Sequence, residues 1–237
     1  DGDTSIHAST DDQIDVKIGG TDVVTLTNSS LVLKGTTPTL TIGDAGAEDT
    51  KIVFDGNAQD FHIGLDDTDD SIKIGLGSAL GTTAHIISDA AGHVTLPKQS
   101  GFQAKTASAQ ENLAINSFVT LLFATEISDT NADYNTSNST FTAPVTGKYL
   151  VTTALNFDAL DADASYWQTQ IKTSNREYTK LDSGNQYDAD PTNLGHSQSM
   201  VVDMDASDTC IIRWYQGGGT AQADLRVESF FAMQLLA

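Results

Sequence analysis

Carboxylates are the most concentrated reactive groups of the sequence, and their spacing suits one kind of chemistry. Asp158, Asp161 and Asp163 fall within one short stretch, and Asp182, Asp188 and Asp190 bracket Gly184 and Asn185. A third group comprises Asp66, Asp67, Asp69 and Asp70. Calcium takes about six to eight oxygen ligands from flexible loops, so Asp158, Asp161, Asp163, Asp182, Asp188 and Asp190 are candidate metal ligands. None of these runs has EF-hand spacing, and a solvated acidic face is the alternative. Aromatic residues stand beside two of the runs: Tyr166 and Trp167 follow Asp163, and Tyr187 lies between Asp182 and Asp190. A ring next to a carboxylate and an amide holds a sugar by stacking and hydrogen bonding. Tyr166, Trp167, Tyr187 and Asp190 are therefore candidate receptor contacts, with burial of Tyr166 and Trp167 in a core as the alternative. The run Gln216-Gly217-Gly218-Gly219-Thr220 would let a ligand approach the backbone.

Catalytic chemistry finds little support. The sequence has no G-x-S-x-G elbow, no P-loop, no H-E-x-x-H and no C-x-x-C, which removes the usual nucleophilic and zinc motifs. Gly75-Leu76-Gly77-Ser78-Ala79-Leu80-Gly81 places its last glycine one residue too far for a dinucleotide fingerprint and reads as a turn. His7, His62, His85, His93 and His196 are dispersed. The single cysteine, Cys210, lies beside Ile211 and Ile212 and reads as a buried, inert thiol. No catalytic residue and no cofactor are expected, with calcium at the acidic runs as the one alternative weighed against that. A polysaccharide-cleaving enzyme would need paired carboxylates at working distance, which subunits could assemble between them.

Charge narrows the partners. Twelve Lys and Arg face 32 Asp and Glu, a net charge of −20, which excludes a basic nucleic-acid surface. No run approaches the roughly 18 consecutive apolar residues of a spanning helix, so no membrane insertion is expected. The chain opens at Asp1 without an initiator Met or targeting peptide, as a fragment or processed chain would.

These residues must be positioned by two unlike segments. Residues 1–101 hold 13 of the 19 glycines but only two aromatics, Phe54 and Phe61, too few large side chains for a conventional core. Short alternating runs at 14–18, 23–26, 31–33, 39–42, 51–54, 72–74 and 93–96 predict strands separated by turns, each too small to be stable without neighbours. Asp11-Asp12-Gln13-Ile14-Asp15-Val16-Lys17-Ile18-Gly19 is echoed, 58 residues later, from Asp69 through Ile72, Lys73 and Ile74. An acidic linker is the alternative for this segment. Residues 102–237 alternate at 118–123, 148–157, 166–172, 199–203, 209–215 and 225–236, which predicts an all-β sandwich. Period two puts Cys210, Ile212 and Trp214 on its core face; the stretch 107–115 is ambiguous.

Two resemblances follow from the residues. The run from Glu48 to Asp67, continued from Asp69 to Ser78, resembles repeats of marine-bacteriophage tail fibres. The second segment resembles the jelly-roll head shared by complement component 1q and the tumour-necrosis-factor ligands. That likeness rests on Phe102-Gln103-Ala104, the block Phe141-Thr142-Ala143-Pro144-Val145-Thr146-Gly147-Lys148-Tyr149, the run Val201 to Thr209, and the terminal Glu228 to Leu236. Two departures stand out: Ser207 precedes Asp208 where the family has glycine, and Phe230 to Leu236 contains no glycine.

The resemblances imply an all-β chain, with a repetitive short-strand trimeric stalk (1–101) followed by a ten-stranded jelly-roll β-sandwich head (102–237). They imply a noncatalytic viral attachment protein at the virion tail, extracellular and homotrimeric. It would be joined to other fibre proteins upstream and would bind a bacterial surface glycan or outer-membrane protein. Three copies carry −60, a repulsion that burial or bound cations must offset. A secreted adhesin or lectin with a similar head, or a virion decoration protein, are the alternatives.

Overall fold

A computed structural model of the chain describes residues 4–10 and 12–236 and is built almost wholly of antiparallel strands. Strands β1 (Ser5–Thr10), β2 (Gln13–Ile18), β3 (Thr21–Thr27) and β4 (Leu31–Leu33) form one meander in chain order. Its central turn places Gly19 and Gly20 at φ 57° and 77°, the geometry of a type I′ hairpin. Strands β5 (Thr50–Phe54), β6 (Phe61–Asp66), β7 (Ser71–Leu76), β8 (Ala84–Ser88) and β9 (Val94–Thr95) form a second. The expected strand at 39–42 is irregular. Pro38 removes a donor there, and among the described residues no strand pairs with it.

The faces of both meanders are inverted relative to an ordinary sheet. In the second, register stacks Ile52, Ile63, Ile74 and Ile86 across four strands, with Phe54, Phe61 and Leu76 in the next row. In the first, Ile6, Val16, Val24 and Leu33 line up the same way. These aliphatic faces lie open: Ile6 is 74 % and Phe54 60 % exposed. The polar faces are the buried ones, with Asp15, Thr25, His62, Asp66, Ser71 and Lys73 withdrawn from solvent. Lys73 Nζ sits 2.6 Å from Asp66 and 2.8 Å from Asp69. His62 donates from Nδ1 to the Gly77 carbonyl at 2.8 Å, and its ring lies over Gly75, where a Cβ would meet the ring at 2.9 Å.

The head contains β10 (Gly101–Lys105), β11 (Val119–Thr120), β12 (Thr125–Asp129), β13 (Tyr134–Asn135), β14 (Thr140–Thr142), β15 (Gly147–Asp158), β16 (Tyr166–Thr173), β17 (Glu177–Asp182), β18 (Leu194–Met204), β19 (Thr209–Gly217), β20 (Asp224–Leu225) and β21 (Phe230–Leu235). One sheet runs β12-β10-β21-β15-β18 and the other β13-β14-β19-β16-β17, with β20 and β11 added at β15 and β19. The pairs β10 with β21, β14 with β19, β15 with β18 and β16 with β17 are nested. Nesting of this kind is one long hairpin wound over on itself, which is a jelly roll.

Alternation fills the sandwich. Tyr149, Val151, Leu155 and Phe157 of β15 meet Cys210, Ile212 and Trp214 of β19 in one core. Phe102 stacks on Tyr134 at 4.1 Å, and Phe141 meets Tyr149 edge-on at 5.5 Å. Tyr149 donates to the Val145 carbonyl at 2.7 Å and closes the turn through Pro144. Ser207 adopts φ 75°, which explains the glycine usual in that place. The stretch 107–115 is irregular rather than helical, and 225–236 divides into β20 and β21 at Glu228, whose φ is 65°.

Candidate functional site

The acidic and aromatic loops gather at one end of the sandwich, organised by Asp161. Its carboxylate accepts from the backbone N–H groups of Thr220 at 2.5 Å, Ala221 at 2.7 Å and Asp163 at 2.8 Å. Burial opposes its ionisation, but these N–H donors outweigh it and hold the carboxyl below its usual range. Asp190 accepts from Ala162 N at 2.8 Å, and Ser165 N donates to the Gly217 carbonyl at 2.8 Å. Gly184 is fixed by the same packing, since a Cβ there would meet the Ala164 carbonyl oxygen at 2.4 Å.

The candidate calcium ligands do not converge on one cage. Asp158 pairs with Arg226 at 2.7 Å, Asp161 faces the 220–221 backbone, and Asp190 caps Ala162. Asp182 lies 2.5 Å from His196 Nε2 and 3.2 Å from Lys180 Nζ. Asp163 and Asp188 are exposed. The loop carboxylates instead hold backbone and cations in place, a role that spacing along the chain does not reveal.

His196 joins Asp182 to Thr169, whose hydroxyl lies 3.0 Å from Nδ1. The trio has the composition of a catalytic triad but not its access, because Thr169 and His196 are both buried. Phe157 and Trp214 meet the imidazole edge-on. Burial, then Lys180, push the His196 imidazole below its ordinary value, against the pull of Asp182. Cys210 is fully buried, and burial pushes its thiol up, as an inert core residue requires.

Of the candidate receptor contacts, Trp167 is corrected: its side chain is 0 % exposed and belongs to the core. Tyr187 is 38 % exposed and leans on Trp167 with centroids 5.6 Å apart. Tyr166 points outward from β16 into a row of rings. It stacks on Tyr215 at 5.6 Å, Tyr215 contacts Phe118 at 5.0 Å, and the Arg213 guanidinium lies 4.2 Å over Phe118. The Tyr166 ring lies flat because Gly217 is opposite; a Cβ there would meet it at 2.6 Å. Arg213 is held by Gln170 and by Glu177 at 3.0 Å. A shallow groove of about 520 Å³ adjoins the row, lined by Tyr166, Gln168, Leu181, Asp182, Ser183 and Gln186.

Phe118, Arg213 and Tyr215 were absent from the sequence-based candidates, yet the signal for two of them was present. The period that buries Cys210, Ile212 and Trp214 necessarily sends Arg213 and Tyr215 outward. An outward aromatic row with fixed amide, guanidinium and carboxylate groups can stack on a flat ring and hydrogen-bond its substituents. The chain is similar in fold to complement 1q domains. The globular domain of zebrafish complement 1qA is 18 % identical, covering 59 % of this chain and 98 % of its own, with a TM-score of 0.45. Murine APRIL is 9 % identical over 59 % of this chain and 100 % of its own, at a TM-score of 0.41. The PRD1 vertex protein P5 is also 9 % identical, over 59 % of this chain and 96 % of its own, at 0.41. No family model matches the chain, and no curated protein matches it. Among the described residues, no helix is long and apolar enough to cross a membrane.

Proposed function

We propose that this chain is a noncatalytic, homotrimeric attachment protein of the bacteriophage tail-fibre kind, in which copies of the meanders make a shaft and the head meets the host. The observation that carries this reading is the pair of uncovered aliphatic faces on the meanders. Rows of isoleucine in cross-strand register, with the charged residues gathered on the opposite side, form the face a second copy can cover without bringing acids together. Uncovered aliphatic surface of this extent is costly at about 25 cal/mol per Å². The resemblance of the head to a trimeric family favours three copies over two in this reading. In that assembly the virion tail is the location, with other fibre proteins upstream. The partner is a bacterial surface glycan or outer-membrane protein, contacted through the row Tyr166, Tyr215 and Phe118 with Tyr187 and Asp190 at its margin.

Light scattering after size exclusion tests the assembly. The expected mass is about three times the chain mass of 25.1 kDa, and Ile74→Asp is expected to weaken the assembly and lower the share of protein at that mass. A folded wild-type monomer would overturn the shaft. Attachment is tested by binding of the labelled assembly to intact bacteria. Joint replacement of Tyr166 and Tyr215 by alanine is expected to abolish binding while the mass stays trimeric, and unchanged binding would remove this row from the reading.

A further inference from the structure

The two meanders bury charge at corresponding places by different means. The 58-residue echo aligns Asp15 with Lys73, and both side chains are buried on the polar faces of their sheets. In the second meander the Lys73 ammonium lies between two carboxylates. In the first, the same place is itself a carboxylate, and its cross-strand neighbour on β1 is His7. On the other side, Thr25 of β3 lies opposite. The register shifts after Val16 and pairs Lys17 with Asp22, which brings Asp22 into the same group.

The result is a mixed nitrogen and oxygen donor set. One donor atom from each of His7, Asp15 and Asp22 lies within 4.8 Å of the others. Asp15 accepts from Gln13 Nε2 at 2.7 Å and from Thr25 Oγ1 at 2.5 Å, contacts that fix its orientation as supporting bonds do around metal ligands. Asp22 Oδ1 is shielded from solvent and, among the described residues, finds no hydrogen-bond partner. The Lys17 ammonium stands 4.0 Å from that oxygen, too far to satisfy it.

We propose that His7, Asp15 and Asp22 form a site for a divalent transition-metal ion, with zinc the best match. Zinc accepts one imidazole nitrogen and two carboxylate oxygens at about 2.0–2.2 Å and leaves a fourth position to water. Imidazole argues against calcium and magnesium, which prefer oxygen alone. The three donors need about 1 Å of side-chain movement to reach such bond lengths. Lys17 competes for Asp22, and its ammonium swings outward when the ion enters. The ion would do for the first meander what Lys73 does for the second, and this holds whatever the head binds.

The test is calorimetric titration of zinc chloride into the full chain without an affinity tag, with cobalt chloride as a spectroscopic probe. One zinc per chain is expected, and cobalt is expected to give the visible absorption of a tetrahedral site. His7→Ala, on the edge strand, and Asp22→Asn are each expected to weaken zinc binding about tenfold or more, with the far-ultraviolet dichroism unchanged. His93→Ala, which breaks only the exposed pair with Asp89, is expected to leave binding as it was. Absence of zinc binding by the wild-type chain, or wild-type affinity in both His7→Ala and Asp22→Asn, would overturn the site.

Discussion

The head and the meanders use aliphatic residues in opposite ways. In the head, alternation sends every second residue of β15 and β19 into a shared core, and Tyr149, Trp167 and Trp214 are completely enclosed. In the meanders, the same alternation sends isoleucines outward and closes the polar side with Lys73, His62 and Asp15. The same period-two code therefore yields a self-sufficient unit where two sheets face each other, and an unfinished one where a sheet stands as a single layer. The difference shows which segment closes a core within its own chain and which leaves one face uncovered.

Substitution at matched positions sharpens that contrast. Trp214→Ala should cost about 3–5 kcal/mol and lower the head's unfolding midpoint in urea by the largest margin, because it opens a cavity in a closed core. Ile74→Asp should cost the separated chain only about 1 kcal/mol, the loss of strand propensity and of cross-strand contact with Ile63 and Ile86, since its side chain is 37 % exposed and closes no core. If Ile74→Asp instead unfolded the isolated meander, the contrast would break.

A smaller effect comes from pH. His196 is buried neutral, with its folded value below the ordinary 6.5. Below about 6.5 the unfolded chain takes up the proton first, so stability is full above that pH and is lost as pH falls toward the folded value, by up to about 1.4 kcal/mol per unit. Asp161 and Asp182 have lowered values and add their loss only below the ordinary 3.8. Thermal melts at pH 7.5 and 5.5 (about two units apart) should differ in the wild type and converge in His196→Gln. The smallest effect belongs to the turn before β19. Ser207→Gly should raise stability by about 0.5 kcal/mol, the relief of a left-handed residue less the extra flexibility of glycine.

Much of the head was legible in the sequence because its strands are long and half-buried. The block from Phe141 to Tyr149 and the buried trio Cys210, Ile212 and Trp214 stand where alternation puts them. The segment 118–123 was legible as apolar but not as irregular: only Val119 and Thr120 pair, while Leu121 and Phe123 reach the core from bent backbone. β17 was missed because its alternation is between half-exposed and exposed residues. The site was read less well. The loops do come together, but composition cannot distinguish an aspartate offered to a ligand from one that holds backbone, as Asp161 does. Trp167 shows the same ambiguity for aromatics, since its neighbour Tyr166 faces outward from the next position along β16.

The nested pairing of the head also has a mechanical meaning. The chain enters at Gly101 on β10, which is held between β12 and β21 rather than at a sheet edge, in register from Gly101 against Gln234 to Lys105 against Phe230. A pull applied at Gly101 runs along that strand, so its hydrogen bonds to both neighbours are loaded together in shear and none can be peeled away singly. Tension arriving from the amino-terminal side is therefore shared by two neighbouring strands at the point where it enters the head.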